Sequence, residues 1–247
     1  MSLAPGGWTI VRLQTVGSTN DEAKARAAAG AAHGTVVTAA EQTAGRGRDG
    51  RVWTSPAGNL YASAILRPAV PMRRAAELSF AAALAVGEAL DLLVPMGVRI
   101  SFKWPNDVLV DRRKIAGILL EAEGRAEAVD WLVIGVGVNC AHHPEGTPTP
   151  ATDLRTVIGT TPSPAAVLDG FLGALAAWYE RWQREGMGAL RPAWLERAEG
   201  LGETIRVRTA RESTSGRFAG LDESGALMLA GEGGERLIAA GDVYFAG

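Results

Sequence analysis

The sequence predicts an α+β chain in two parts: a larger domain of mixed strands and helices over residues 1–200, and a small β-domain over residues 201–247. Two observations carry this. Through most of the chain, segments rich in β-branched and alternating apolar residues are interspersed with alanine- and leucine-rich stretches of helical length and spacing. After Gly202 the pattern changes to short alternating strands separated by glycine-containing turns, the signature of a small antiparallel barrel or sandwich. At 247 residues the chain has the length for a large domain with a small appendage.

Taken in order, residues 8–16 alternate enough to form a strand. The Ser18-Thr19-Asn20-Asp21-Glu22 that follows is a helix start, with capping hydroxyl or amide groups and then acids in the first turn. That alanine-rich helix ends near Gly30. Residues 35–40 and 59–66 read as strands joined by a long loop, and residues 73–93 read as a helix ended by Pro95. Residues 98–103 form a further strand. Residues 108–110 and 114–121 flank the polar turn Asp111-Arg112-Arg113 as an antiparallel hairpin. Residues 131–138 make a buried strand that ends at Asn139. Residues 141–164 are rich in proline and threonine, with one short helical turn near 154–158, and read as a second mobile lid. Residues 164–185 place Leu168, Phe171, Leu172, Leu175, Trp178, Tyr179 and Trp182 on one helical stripe, which reads as core packing rather than a base-stacking platform. A shorter helix spans residues 187–198.

Composition narrows the function. A hydrophobic fraction of 47% and a charged fraction of 21% are those of an ordered globular protein. A net charge of −2 gives no global footprint for nucleic acid or an anionic membrane, and no uninterrupted apolar run reaches the length of a spanning helix. The opening MSLAPGGWTIVRL lacks the basic and apolar regions of a signal peptide. The single cysteine, Cys140, excludes an intramolecular disulfide and a multi-cysteine zinc site. A cytoplasmic protein is expected.

Against this near-neutral background, residues 41–61 stand out. Arg46, Arg48 and Arg51 are interleaved with Gly45, Gly47 and Gly50. Glycine lets backbone N–H groups approach a ligand, and guanidinium forks suit carboxylate and phosphate. The loop reads as a mobile lid for an anion, against the plainer reading of a solvated charged loop. Residues 45–50 formally match G-x-G-x-x-G, but that fingerprint requires a following helix, and Arg51-Val52-Trp53-Thr54-Ser55-Pro56 is loop sequence. No G-x-x-x-x-G-K-[ST] phosphate loop occurs.

A second cluster consists of Lys103, Asn106, Asp107 and Lys114, which a hairpin would bring together. Converging cations with one or two acids suit a reaction in which two anions meet, such as a carboxylate attacking the α-phosphate of ATP. Mg²⁺ would assist, held by few carboxylates together with phosphates and waters, and Asp107 is either its ligand or a turn cap. Cys140 has no accompanying histidine motif and reads as a free, partly buried thiol, while His142 and His143 read as a solvated loop pair. Trp53 is a loop anchor or a wall of the site.

Three blocks, EQTAGRGRDGRVWTSPAGNLY, KWPNDVLVDRRKIAGILLE and IGVGVN, occur in this order with GSTND upstream. Together with the C-terminal β-segment they resemble the biotin protein ligase family over almost the whole chain. The resemblance implies a mixed-sheet catalytic domain related to class II aminoacyl-tRNA synthetases and lipoate ligases, followed by an SH3-like β-barrel. It implies ATP-dependent activation of biotin to biotinyl-5'-AMP, with transfer to a lysine of a biotin carboxyl carrier protein such as an acetyl-CoA carboxylase subunit.

The same resemblance assigns residues. Ser18, Thr19, Asn20 and Gln42 would contact biotin, and Arg46, Gly47 and Arg48 would belong to the loop that orders over biotin and its adenylate. Lys114 would lie by the biotin carboxylate and the α-phosphate, so that biotin binding draws on Arg46, Gly47, Arg48 and Lys114 as well. Lys103, Asn106 and Asn139, with Arg46 and Arg48, would serve ATP. Asp107 would serve Mg²⁺ and, with Arg48 and Lys114, catalysis. Asp49 stands where many relatives carry a basic or neutral residue. Some family members carry an N-terminal winged helix-turn-helix, and the short tail before Trp8 leads to the expectation of a ligase without DNA binding, monomeric or homodimeric. Lipoate or octanoate ligation on a related fold is the competing enzyme reading. A non-catalytic biotin or nucleotide sensor is the competing reading of another class.

Overall fold

A computed structural model describes residues 7–231 and 233–245. The tail ahead of Gly7, on which part of the signal-peptide expectation rests, lies outside the described residues. The chain order is β1 (Thr9–Val16), α1 (Thr19–Ala28), β2 (Thr35–Gln42), β3 (Leu60–Leu66), α2 (Met72–Ala75), α3 (Leu78–Asp91), β4 (Ile100–Lys103), β5 (Asp107–Val110), β6 (Arg113–Arg125) and β7 (Ala128–Val138). Then come α4 (Leu154–Ile158), α5 (Pro164–Glu185), α6 (Met187–Leu195), β8 (Thr204–Arg208), β9 (Ser213–Leu221), β10 (Leu227–Gly231), β11 (Gly234–Ile238) and β12 (Asp242–Phe245).

The first seven strands form one sheet in the order β1-β2-β3-β7-β6-β5-β4. β1 and β2 are parallel and the other neighbours antiparallel, so the sheet is mixed. Side chains alternate between its faces. On β7, Leu132, Ile134, Val136 and Val138 enter the main core with α3 and α5. The alternate residues Trp131 and Val133 pack with Val37, Ile65 and the Ala23 and Ala27 side of α1. That second face then continues to Gly135 and Gly137, where side chains stop and a hollow begins.

α5 forms as its spacing predicts. Ser163 caps it by accepting from the Ala165 N–H, Pro164 stands in its first turn, and the apolar stripe is buried. Burial of side chains of this size stabilises by roughly 1.5–3 kcal/mol each. The single helix predicted over residues 73–93 is instead two, because the chain turns through three-residue hydrogen bonds at Glu77 and Ser79. The turn lets the Glu77 carboxylate accept from the buried Trp182 indole at 2.7 Å. β6 and β7 run on beyond the predicted 114–121 and 131–138, into a polar segment whose hairpin extends past the core.

The last five strands form an antiparallel sheet in the order β11-β10-β9-β8-β12. Ile205 and Val207 of β8 point inward between exposed neighbours and join Phe218, Leu227 and Leu229 in the same core cluster as α3 and α5. Trp104 donates through its indole to the Gly225 carbonyl at 3.1 Å, so the small sheet is seated on the large one.

Candidate active site

A cavity of about 370 Å³ opens on the α1 face of the large sheet, where Gly135 and Gly137 of β7 and Gly117 of β6 lie side by side. Their missing Cβ atoms make its floor. A Cβ on Gly135 would fall 2.0 Å from Asn20 Oδ1, and one on Gly137 or Gly117 would fall 2.6 or 2.9 Å from the Trp53 ring. Trp53 thus lies flat over the glycine floor. Its indole nitrogen is buried without a hydrogen-bond partner.

One end of the cavity is lined mainly by uncharged polar side chains. The start of α1 buries Ser18, Thr19 and Asn20. Gln42 Oε1 accepts from the Thr19 N–H at 2.8 Å, and Gln42 Nε2 donates to Ser55 Oγ at 2.9 Å. Ser63 Oγ lies 2.6 Å from Asn20 Oδ1, while Asn20 Nδ2 donates to Glu121 Oε2 at 2.8 Å. Glu121 is also paired with Lys24 and Arg46. Burial raises its pKa, but the bonds from Lys24 and Asn20 and the Arg46 charge outweigh this and hold it below the ordinary value. Arg46 also engages Asp21, so its guanidinium braces the wall behind the polar end.

The other end is cationic. β4 and β5 pair Lys103 with Asp107, and a register shift in β6 brings Lys114 alongside. Lys114 Nζ lies 2.6 Å from Asp107 and 5.2 Å from the centre of the Trp53 ring. Lys103 Nζ lies 3.6 Å from the same carboxylate. Burial pushes the Lys103 ammonium below its ordinary pKa, with Lys114 acting the same way against the pull of Asp107. Arg48 donates to Asn106 Oδ1 at 3.3 Å and to the Gly241 carbonyl at 3.4 Å. Among the described residues no three His, Cys, Asp or Glu side chains converge. Asp107 can offer one carboxylate, which fits a Mg²⁺ that keeps phosphate oxygens and waters as its other ligands.

All twelve residues that the resemblance assigns to the site line this cavity: Ser18, Thr19, Asn20, Gln42, Arg46, Gly47, Arg48, Lys103, Asn106, Asp107, Lys114 and Asn139. They do not all present free groups to it. Asn139 Nδ2 is spent on the Thr152 carbonyl at 3.0 Å. Asp49, in the left-handed region at φ 55°, sits by Arg51 at 3.5 Å. Cys140 is a free thiol as expected, but it is wholly and not partly buried, and burial pushes it up to about 11. His143 is less free than a solvated loop residue, since its Nδ1 lies 2.7 Å from buried Asp153.

The lining also includes residues that sequence reasoning passed over. Arg208, Asp242 and Tyr244 come from the small sheet, and Asp242 pairs with Arg51 of the loop over residues 41–61. No local pattern marks them, because their place depends on how the two sheets dock. The glycine floor did have a signal, the alternation in IGVGVN set opposite the glycine of KIAGI.

A hollow floored by glycine, polar at one end and ringed by lysine and arginine at the other, suits a ligand with a neutral polar part joined to an anionic one. The chain belongs to the biotin/lipoate A/B protein ligase family, which matches residues 13–139, and residues 200–246 match the biotin protein ligase C-terminal domain. It is 42% identical to a biotin--[acetyl-CoA-carboxylase] ligase of Paracoccus denitrificans, over 95% of this chain and 100% of that protein. The biotin protein ligase of Aquifex aeolicus, solved in complex with biotin and ATP, superposes with a TM-score of 0.82 at 27% identity, covering 96% of this chain and 97% of that one. The biotin protein ligase of Leishmania major in complex with biotinyl-5-AMP gives 0.66 at 27% identity, covering 94% and 99%.

Proposed function

We propose that this chain is an ATP-dependent biotin protein ligase that makes biotinyl-5'-AMP and passes biotin to a lysine of a biotin carboxyl carrier protein. The observation that carries the reading is the junction of the two ends of the cavity: a neutral trough ending at Lys114, with Arg48, Lys103 and Asp107 beyond it. Relatives that bind biotin, ATP and biotinyl-5-AMP on this fold support it.

In the first step a carboxylate oxygen of biotin attacks the α-phosphorus of ATP. A P–O bond forms, the bond to the β-phosphate breaks, and pyrophosphate leaves. Ser18, Thr19, Asn20 and Gln42 hold the biotin ring, and Arg46 with Gly47 braces that wall. Lys114 and Arg48 offset the gathering negative charge, which is worth most in a water-poor site. Lys103 and Asn106 take the nucleotide phosphates, and Asn139 serves ATP through the loop it anchors. Mg²⁺, arriving with the nucleotide, would meet Asp107 and supply further charge neutralisation. In the second step the neutral amine of the carrier lysine attacks the acyl carbon, a C–N bond forms, and the C–O bond to AMP breaks. Asp107 takes the amine proton.

We place the boundary between the catalytic domain and an SH3-like barrel at residues 200 and 201, and the protein in the cytoplasm. No helix among the described residues is long and apolar enough to cross a membrane. The deciding assay is biotin-dependent exchange of labelled pyrophosphate into ATP. Exchange with biotin is expected. Exchange with lipoate and none with biotin would overturn the reading in favour of lipoate ligation, and no exchange with tight biotin binding would favour a sensor.

A further inference from the structure

Two walls of the cavity spring from neighbouring strand ends: the arginine lid runs into β3, and the loop over residues 139–153 leaves β7 beside it. One side chain spans the gap. Asn59 is 3% exposed, and its Oδ1 accepts the backbone N–H groups of Cys140, Ala141 and His142 at 2.9, 2.8 and 3.1 Å. Its Nδ2 donates to the His142 carbonyl at 2.9 Å. The approach is close, since a Cβ on Gly58 would fall 3.1 Å from that of Ala141. From this knot the bonding continues into the site. Leu154 N–H donates to the Asn139 carbonyl at 3.0 Å, Lys114 N–H to the Pro150 carbonyl at 2.7 Å, and Lys103 Nζ to Thr149 Oγ1 at 3.0 Å.

We infer that Asn59 is a positioning residue for the nucleotide-facing wall, fixing the turn out of β7 so that the loop meets Lys103 and Lys114 in one geometry. The inference rests on the proposed nucleotide role of that end. Three successive N–H groups need one strong acceptor and the carbonyl beside them needs a donor, and buried main-chain groups left unpaired are costly. Asparagine supplies both. Aspartate supplies the acceptor and alanine neither.

The test compares wild type, Asn59→Ala and Asn59→Asp in pyrophosphate exchange, with amide hydrogen exchange read at residues 140–142. For Asn59→Ala the KM for ATP should rise about tenfold or more while that for biotin stays within about twofold, because the lost bonds lie on one wall only. Its 140–142 amides should exchange faster while those of β3 and β7 do not change. Asn59→Asp should bring the KM for ATP back to within about threefold of wild type and keep those amides slow. Equal rises in both KM values, a fall in kcat alone, or an unchanged KM for ATP in the alanine variant would overturn the inference. Should the alanine variant not fold, the aspartate variant decides: slow amides with a near-normal KM support the inference, and fast amides with a normal KM overturn it. If wild type shows no exchange with biotin, the functional reading fails, and calorimetric ATP binding with the same amide comparison decides this inference separately.

Discussion

At the scale of single residues, the cavity asks different things of Lys114, Arg48 and Gly137. Lys114 stands at the meeting of the two ends, 2.6 Å from Asp107 and over the Trp53 ring. Lys114→Ala should slow formation of biotinyl-AMP by about 10²–10³-fold, the usual effect of removing one stabiliser of developing charge, as single-turnover quenching would read. Arg48, proposed to share that charge, is also tied to Asn106 and Gly241, so Arg48→Ala should in addition release the adenylate faster, seen as free biotinyl-AMP in solution. Gly137 works by having no side chain. Gly137→Ala would put a methyl group 2.6 Å from the Trp53 ring and force that ring into the trough. Biotin affinity should then fall about tenfold or more by calorimetry, with ATP affinity unchanged, since overpacking a close-fitted site costs about 1–3 kcal/mol. The lysines and arginines were legible in the sequence because charge beside glycine or proline stands out locally. The glycine floor was less so, because a glycine's role here depends on which face of the strand it occupies and which strand lies alongside.

At the scale of elements, the loop over residues 41–61, proposed as a lid, has three anchors where its sequence suggests two. Besides β2 and β3, it is fastened to the start of β12 through Arg51 with Asp242 and Arg48 with the Gly241 carbonyl. The third anchor could not be read from the chain, since nothing near Asp242 in sequence distinguishes it from other turn aspartates. Burial works to raise the Asp242 pKa, but the Arg51 bond and the charges of Arg51, Arg48 and Lys103 outweigh it, and the carboxyl stays below its ordinary 3.8. The sign follows. A depressed carboxylate gives its full contribution above the ordinary value, and loses it as pH falls through the lower folded value. Adenylate retention should therefore be insensitive to Asp242 titration near neutral pH and fail only in strong acid. Asp242→Asn should mimic that failure at neutral pH, releasing adenylate about three- to tenfold faster in a trapping assay, for a partly exposed pair worth about 1 kcal/mol. If retention is unchanged, the contact does not hold the lid closed.

At the scale of the whole molecule, the mixed sheet, its helices and the change of pattern near Gly202 were legible because they rest on periodicity, which each segment carries by itself. The seam between the two sheets was not, because it is made of single residues distant in sequence. There Phe102 exchanges main-chain bonds with the segment ahead of Gly200, accepting from the Glu199 N–H and donating to the Arg197 carbonyl, both at 2.8 Å. The Glu199 side chain is fully buried and meets Arg99 and Arg112, each at 3.2 Å, on either side of the β4–β5 hairpin. Because both arginines are about half exposed, water can take over their charges when the glutamate is removed. The loss is then the hydrogen bonds and the small void, about 1–3 kcal/mol, rather than the larger cost of stranding a buried charge. Arg99→Ala or Arg112→Ala leaves the buried Glu199 carboxylate one partner and should cost about 1–3 kcal/mol, more than an exposed pair would. Glu199→Ala should lower Tm by about 2–4 °C for each kcal/mol lost, the slope expected at this chain length. Since Ile205, Val207 and Phe218 share one core with α3 and α5, calorimetry should show the shift as a single displaced transition. A separate early transition for the small sheet would mean that the two sheets fold independently and that the seam does not couple them.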